Sequence, residues 1–171
     1  MSIPSEVWLR GSMPGIPAML LPVAHALIQA QEDVQAAAAG VSAAALWQRP
    51  NGAASIGFHL LHLAGATDRL FTYARGEMLN DEQKAFSRAE GQEHPDKDAA
   101  ALLAGVAAQM DRAVAQLRAT DPGTLLEERK IGRAGLPSTV LGCLFHGADH
   151  AARHAGQCVT TIKLLGSDLR V

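Results

Sequence analysis

The sequence is poor in aromatic residues, in cysteine and in clustered basic charge. Only 4% of its 171 residues are aromatic, whereas 48% are hydrophobic, with alanine prominent among them. Short side chains of this kind favour closely packed helices over a sheet. The formal charge of −2 is spread along the chain without a basic block. We therefore expect no nucleic-acid partner, because phosphate binding needs clustered positive charge.

The chain also lacks a long uninterrupted apolar run and a visible export signal. Its best apolar stretch, residues 18–28, is interrupted by Pro22 and His25, so we expect no membrane partner. Cys143 and Cys158 fall on one predicted helix, about 22 Å apart, which is too far for a disulfide. Free thiols without an export signal predict a cytoplasmic protein.

Hydrophobic periodicity and helix-terminating residues predict four long helices and two short ones. The long helices are expected at about residues 17–39, 54–75, 97–119 and 139–165, and the short ones at 43–48 and 80–88. Ser138 is the expected N-cap of the last helix, and Pro22 marks a delayed start or a kink of the first. Residues 124–137 are expected to form a loop or a short extended excursion. The pattern predicts an all-α fold, a four-helix bundle forming one domain over residues 1–171.

Histidines are concentrated on the last long helix. Three of the seven, His146, His150 and His154, lie four residues apart, and such positions share one side of a helix. His150 and His154 fall on its apolar stripe, and His62 lies on the predicted inner stripe of the second long helix. Three imidazoles that meet inside a bundle can hold a divalent metal ion and leave a coordination position open. Glycines that would let the helices approach closely are Gly57, Gly65, Gly147 and Gly156.

Other assignments of the histidines remain open from the spacing alone. His59 precedes His62 by three residues and is rotated from it by about 60° on a helix. His146 with His150 is also a geometrically allowed pair, although we expect His59 and His146 to flank the site. Some of these side chains would alternatively be core histidines bonded to carbonyls or carboxylates. His25 and His94 are expected to have ordinary roles.

Two known metal motifs are disfavoured by the residues present. His150 and His154 have the spacing of a zincin helix, but Ala151 occupies the place of the general-base glutamate. The Glu-x-x-His repeats of carboxylate-bridged di-iron bundles are missing from the sequence. The motifs therefore argue against a zincin-type peptidase and a di-iron protein.

The histidine-bearing segments resemble the DinB/YfiT-like four-helix bundles. Those segments are Ser55-Ile-Gly-Phe-His-Leu-Leu-His62-Leu-Ala and His150-Ala-Ala-Arg-His154-Ala-Gly-Gln157, in which a helix-two histidine is combined with His-x-x-x-His-x-Gly-Gln. The likeness extends over nearly the whole chain, from about residue 26 to residue 165. His62, His150 and His154 take the metal-ligand positions of the family pattern.

The resemblance implies a divalent metal ion (zinc, nickel or iron), a small-molecule substrate and a homodimer. Family members with known activity are metal-dependent transferases that join a low-molecular-weight thiol to an electrophile, or hydrolases and isomerases of related chemistry. The implied function is a metal-dependent enzyme that activates a thiol or water toward a small substrate. The alternative is a non-catalytic dimeric helical bundle with a structural or ligand-binding role.

Several residues near the three histidines are candidates for supporting roles. Ligating histidines usually give their other N–H to an oxygen acceptor. Candidates for polar partners around the site are Asp68, Asp149, Arg153 and Gln157, although Asp149 also suits the surface and Gln157 also suits a contact between helices. Cys158 would be a fourth, soft ligand or, more simply, a buried core residue. Arg69 or Arg153 would bind an anionic group of a substrate or remain solvated.

Overall fold

The computed structural model describes residues 6–166. This part of the chain contains six α-helices and one antiparallel pair of short strands. The helices are α1 (Leu21–Ala38), α2 (Ala43–Leu46), α3 (Ile56–Ala74), α4 (Asp81–Ala89), α5 (Ala99–Ala119) and α6 (Val140–Leu165), and the strands are β1 (Glu128–Ile131) and β2 (Leu136–Thr139). The ends of the predicted domain, residues 1–5 and 167–171, lie outside the described residues.

The four long helices form the bundle that the sequence predicts. α3 packs against α6 and α5, and α1 packs against the same two helices. Their facing sides are apolar and enclose a continuous core. The largest fully buried side chains include Leu27, Leu60, Leu63, Phe71, Met110, Leu117 and Leu144. The all-α fold class is therefore confirmed.

The helix boundaries follow local signals in the sequence. Pro22 lies in the first turn of α1, where its missing N–H costs nothing, so it marks a delayed start and not a kink. Ser55 caps α3 by accepting a hydrogen bond from the backbone N–H of Phe58. Asn80 and Gln83 form a capping box at the start of α4. Within residues 6–166, no helix combines the length and apolarity needed to cross a membrane.

Residues 124–137, expected as a loop or an extended excursion, contain most of a short hairpin. β1 pairs with β2 in antiparallel register, with Arg129 opposite Ser138. The Arg129 guanidinium donates to the Ala74 carbonyl at 2.8 Å, which attaches the hairpin to the end of α3. Ser138 is therefore part of β2, and the predicted N-cap is wrong by one residue. Thr139 caps α6 instead by accepting from the Gly142 N–H.

Three of the four glycines expected at close contacts do face large neighbours. A Cβ added at Gly147 would lie 2.9 Å from the ring of Phe71, so glycine allows α6 to approach α3. Gly57 and Gly65 likewise face aromatic rings that a Cβ would meet. The expectation for Gly156 is wrong, because a Cβ there would meet nothing within 4 Å.

Candidate metal centre

The structure brings His62 of α3 together with His150 and His154 of α6. One ring nitrogen from each residue lies within 4.8 Å of the others. The closest pair is His62 Nε2 and His150 Nε2, at 2.9 Å. The three residues converge because α3 and α6 pack tightly and because His150 and His154 are one helical turn apart. All three rings are half-buried.

The orientation of His62 is set by a buried carboxylate, Glu90, directly after the end of α4. His62 Nδ1 lies 2.7 Å from Glu90 Oε1, and Glu90 is only 6% exposed. Arg69 donates to both Glu90 oxygens, at 3.1 and 3.0 Å. Burial alone would raise the pKa of Glu90, but the hydrogen bonds from His62 and Arg69 outweigh it and lower that pKa. An ionised Glu90 accepts the Nδ1–H of His62, which leaves the Nε2 lone pair directed at His150.

A second histidine, His59, performs the corresponding role for His154. The two Nδ1 atoms lie 3.1 Å apart, so one ring donates and the other accepts. Burial, and then the neighbouring His62, lowers the pKa of His59 to about 4. Burial followed by the nearby imidazoles lowers the pKa of His154 to about 3. Both rings are therefore neutral near pH 7, and His154 keeps Nε2 available when its Nδ1 carries the proton.

The two ring nitrogens of His150 have different surroundings, and Nε2 is the one that faces His62. Its Nδ1 is buried and makes no hydrogen bond to any described residue. Burial, then repulsion from His62, lowers the pKa of His150 to about 4. The ring is neutral at pH 7, and a neutral imidazole is the form that binds a metal ion.

The donor set fits a divalent ion. Two imidazole nitrogens bound tetrahedrally at 2.0–2.1 Å would be separated by about 3.3 Å, which lies between the 2.9 Å closest approach and the 4.8 Å outer limit of the cluster. Phe58 stacks on His62 with ring centroids 5.1 Å apart and covers one side of the cluster with apolar surface. These three residues would hold the ion, and their role as ligands stays a prediction.

The two flanking histidines have different environments. His59 is 4% exposed and contacts the cluster through His154, as expected for a flanking residue. His146 is exposed on α6, with its ring centroid 5.5 Å from that of His150 and its Nδ1 3.8 Å from Asp149. His146 thus faces solvent and lies outside the cluster, although His150 belongs to it.

Three of the four polar residues named from the sequence have other partners. Asp68 accepts from Gln83 at 2.7 Å. Asp149 pairs with Arg153 at 2.7 Å on the exposed side of α6. Gln157 is exposed. None of these four side chains contacts His62, His150 or His154 through a hydrogen bond among the described residues.

The environments of Cys158 and Arg69 differ from those expected of a metal ligand and of a substrate-binding group, the roles considered for them from the sequence. Cys158 is fully buried among apolar side chains, and burial raises its thiol pKa to about 12. It behaves as the core residue of the simpler interpretation. Arg69 is 13% exposed and paired with Glu90, so its charge is neutralised within the protein.

Glu90 was not identified from the sequence. It follows a short polar helix and precedes Gly91, where a glutamate is expected to be solvated. Its burial arises only because α4 lies across α3 and brings residue 90 next to residues 62 and 69. The sequence offers no local signal for that contact.

Comparisons with known proteins agree with the helical architecture and the histidine segments. The crystal structure of a conserved protein from Enterococcus faecalis superposes with a TM-score of 0.64, at 19% sequence identity, over 86% of this chain and 98% of that chain. That likeness shows a shared fold. No curated protein matches this sequence. The sequence pattern of the DinB superfamily matches residues 26–158, a range that contains all three clustered histidines. The chain belongs to the DinB superfamily.

Proposed function

We propose that this protein is a metal-dependent enzyme whose divalent ion is bound by His62, His150 and His154. The observation that carries the proposal is the convergence of three half-buried imidazoles that offer ring nitrogens within 4.8 Å of one another. Two of them have a hydrogen-bonded Nδ1, which leaves Nε2 for the ion. Three protein ligands leave at least one coordination position for another molecule.

A divalent ion bound there would act as a Lewis acid and lower the pKa of a coordinated thiol or water. The protein residues supply orientation and exclusion of solvent. Glu90 fixes the ring of His62, and His59 fixes the ring of His154. Phe58 covers one side of His62. We infer transfer of a low-molecular-weight thiol to a small electrophile, or hydrolysis of a small substrate.

The all-nitrogen donor set favours zinc, nickel or iron over magnesium and calcium, which prefer oxygen ligands. A small-molecule substrate, a homodimer and a cytoplasmic location complete the proposal. Exposed apolar side chains, including Phe145 at 62% exposure, are compatible with a self-association surface. Sedimentation of the purified chain measures its oligomeric state.

The metal content of the purified protein tests the proposal. Wild type, His150→Ala and His146→Ala would be purified without a nickel column, loaded with zinc, nickel or iron, and measured by elemental analysis. We expect bound metal in wild type and in His146→Ala, because residue 146 lies outside the cluster on the same helix. We expect a large loss in His150→Ala. Equal, near-zero content in wild type and His150→Ala would contradict the proposal.

Catalysis requires a separate measurement. Conjugation of a low-molecular-weight thiol to a small electrophile would be followed with and without added metal. Turnover that depends on the metal and is lost in His150→Ala supports the enzyme. Bound metal without turnover of any thiol or hydrolysis substrate would favour the non-catalytic ligand-binding bundle.

A further inference from the structure

A second candidate site is a cavity along α3, whose lining includes Arg69, the partner of Glu90. This cavity of about 400 Å³, open to solvent on one side, is bordered by α3, α4 and α5, within the size range of small-molecule sites. Its lining is mainly apolar, and none of the three clustered histidines contributes to it. The lining residues on which the argument depends are Leu61, Ala64, Phe86, Leu102, Gly105 and Arg112.

The side of the cavity formed by α4 is only loosely attached to the bundle. No residue of α4 is buried. Phe86 rests on Gly65, where an added Cβ would lie 2.6 Å from its ring. Gln83 bonds to Asp68 and Thr72, both at 2.7 Å. Hydrogen bonds and one aromatic contact hold α4 over the cavity, so a ligand can enter without disruption of an apolar core.

The cavity lining contains one guanidinium, that of Arg112, that has no carboxylate partner among the described residues. Both Nε and Nη2 of Arg112 donate to the Gln109 side-chain oxygen, which fixes the guanidinium but does not neutralise it. Within the described residues, no carboxylate forms an ion pair with Arg112. The two acids of the lining are Asp68, which accepts from Gln83, and Glu82 in the first turn of α4, where the helix dipole favours negative charge. Lys97 adds a second positive charge to the lining.

The α5 backbone leaves additional room at this site. A Cβ at Gly105 would meet nothing within 4 Å, and a glycine inside a helix is less stable than an alanine. No close helix contact requires glycine at this position. Because Gly105 is part of the lining, its lack of a side chain leaves that part of the cavity open.

We propose that this cavity binds a small molecule with an apolar body and a carboxylate that pairs with Arg112. The apolar side chains receive the body, and the planar guanidinium matches the two carboxylate oxygens. The inference goes beyond the proposed function and does not rest on it, because the site contains no metal ligand. Metal-free protein is therefore suitable for the test.

Binding of three matched probes to the full-length chain tests the inference. 3-Phenylpropionate, 3-phenylpropan-1-ol and 3-phenylpropylamine share an apolar body and differ in charge. Titrations followed by amide chemical shifts would locate each probe and give its Kd. We expect the carboxylate to bind about tenfold more tightly than the alcohol and the amine to bind most weakly. Shifts should concentrate on α3, α4 and α5.

Three variants make the result specific. Arg112→Gln should remove the preference for the carboxylate over the alcohol and leave the affinity of the alcohol unchanged. Gly105→Leu should abolish binding of both by filling the cavity, whereas Gly156→Leu, at another open helical position outside the cavity, should bind as wild type does. Equal affinity for the three probes, no binding at millimolar concentration, or unchanged binding in a folded Gly105→Leu variant would each overturn the inference.

Discussion

Glu90→Gln should lower both the stability of the fold and the affinity of the cluster for metal, for two different reasons. Glu90 and Arg69 are 6% and 13% exposed, so removal of the carboxylate charge leaves a guanidinium buried without its counterion. Loss of one partner of a buried pair costs roughly 3–5 kcal/mol. The same change removes the anionic acceptor for His62 Nδ1. Loss of such a partner typically reduces metal affinity by about 10–100-fold, or about 1.4–2.7 kcal/mol.

The two effects are measured independently. Urea unfolding of the metal-free protein gives the free energy of unfolding, and competition with a metal chelator gives the metal affinity. Glu82→Gln is the matched control, because residue 82 lies on α4, the helix that precedes Glu90, and makes no ion pair within the described part of the chain. We expect that control to leave the metal affinity unchanged and to lower the free energy of unfolding by no more than about 1 kcal/mol.

A double variant then distinguishes orientation from stability. Arg69→Met combined with Glu90→Gln removes the unpaired guanidinium, so most of the lost free energy of unfolding should return. The metal affinity should stay low, since His62 still lacks its carboxylate. Wild-type affinity in a folded Glu90→Gln variant would refute the role assigned to Glu90. Full recovery of affinity in the double variant would show that only stability had been affected.

Three further outcomes follow from the packing and from the neutral imidazoles. Gly57→Ala should destabilise the protein by about 1–3 kcal/mol, because its Cβ would overlap the ring of Trp47. Gly156→Ala should stabilise the protein by up to about 1 kcal/mol, because its Cβ would meet nothing within 4 Å. Equal urea midpoints for the two variants would contradict this difference. The pKa of buried His59 is about 4 in the fold, below the ordinary 6.5, so the unfolded chain binds a proton first and the contribution of His59 to metal-free stability should fall by on the order of 3 kcal/mol as the pH drops through that interval. His150 and His154, whose pKa values are also lowered, add losses of their own. Unfolding curves at a series of pH values measure the total, and His59→Gln should reduce it, whereas an equal loss in that variant would argue against this contribution. Cys158, with a thiol pKa near 12, should resist a thiol reagent in native protein and react after denaturation, and rapid labelling of native protein would contradict its burial.

The histidine cluster was predictable because most of its geometry is local. A spacing of four residues places His150 and His154 on one side of any helix. The apolar stripe then indicates which side faces the core. Only the meeting with His62 depends on tertiary structure, and the close contact at Gly147 provides it. The four-helix architecture likewise follows from periodicity that extends over each long helix.

The features that the sequence did not predict depend on how short elements lie on the bundle. The sequence of α4 indicates a solvated helix, and indeed none of its residues is buried. Its position over α3 nevertheless buries Glu90 beside His62 and forms one side of a cavity. The hairpin was difficult to predict for a related reason, because strands of four residues carry little periodic signal. Gly156 was misassigned because glycine on an open helical surface looks the same in sequence as glycine at a close contact.

Because α4 is weakly attached, its hydrogen exchange should respond to ligand binding at the histidine cluster. A helix without buried residues opens readily, and its backbone amides should exchange with solvent far faster than those of α3 or α6. Residue 90, directly after its last turn, holds the ring of His62. Any ligand that steadies that ring also steadies the end of α4, so deuterium uptake along residues 81–89 should slow when the cluster is occupied.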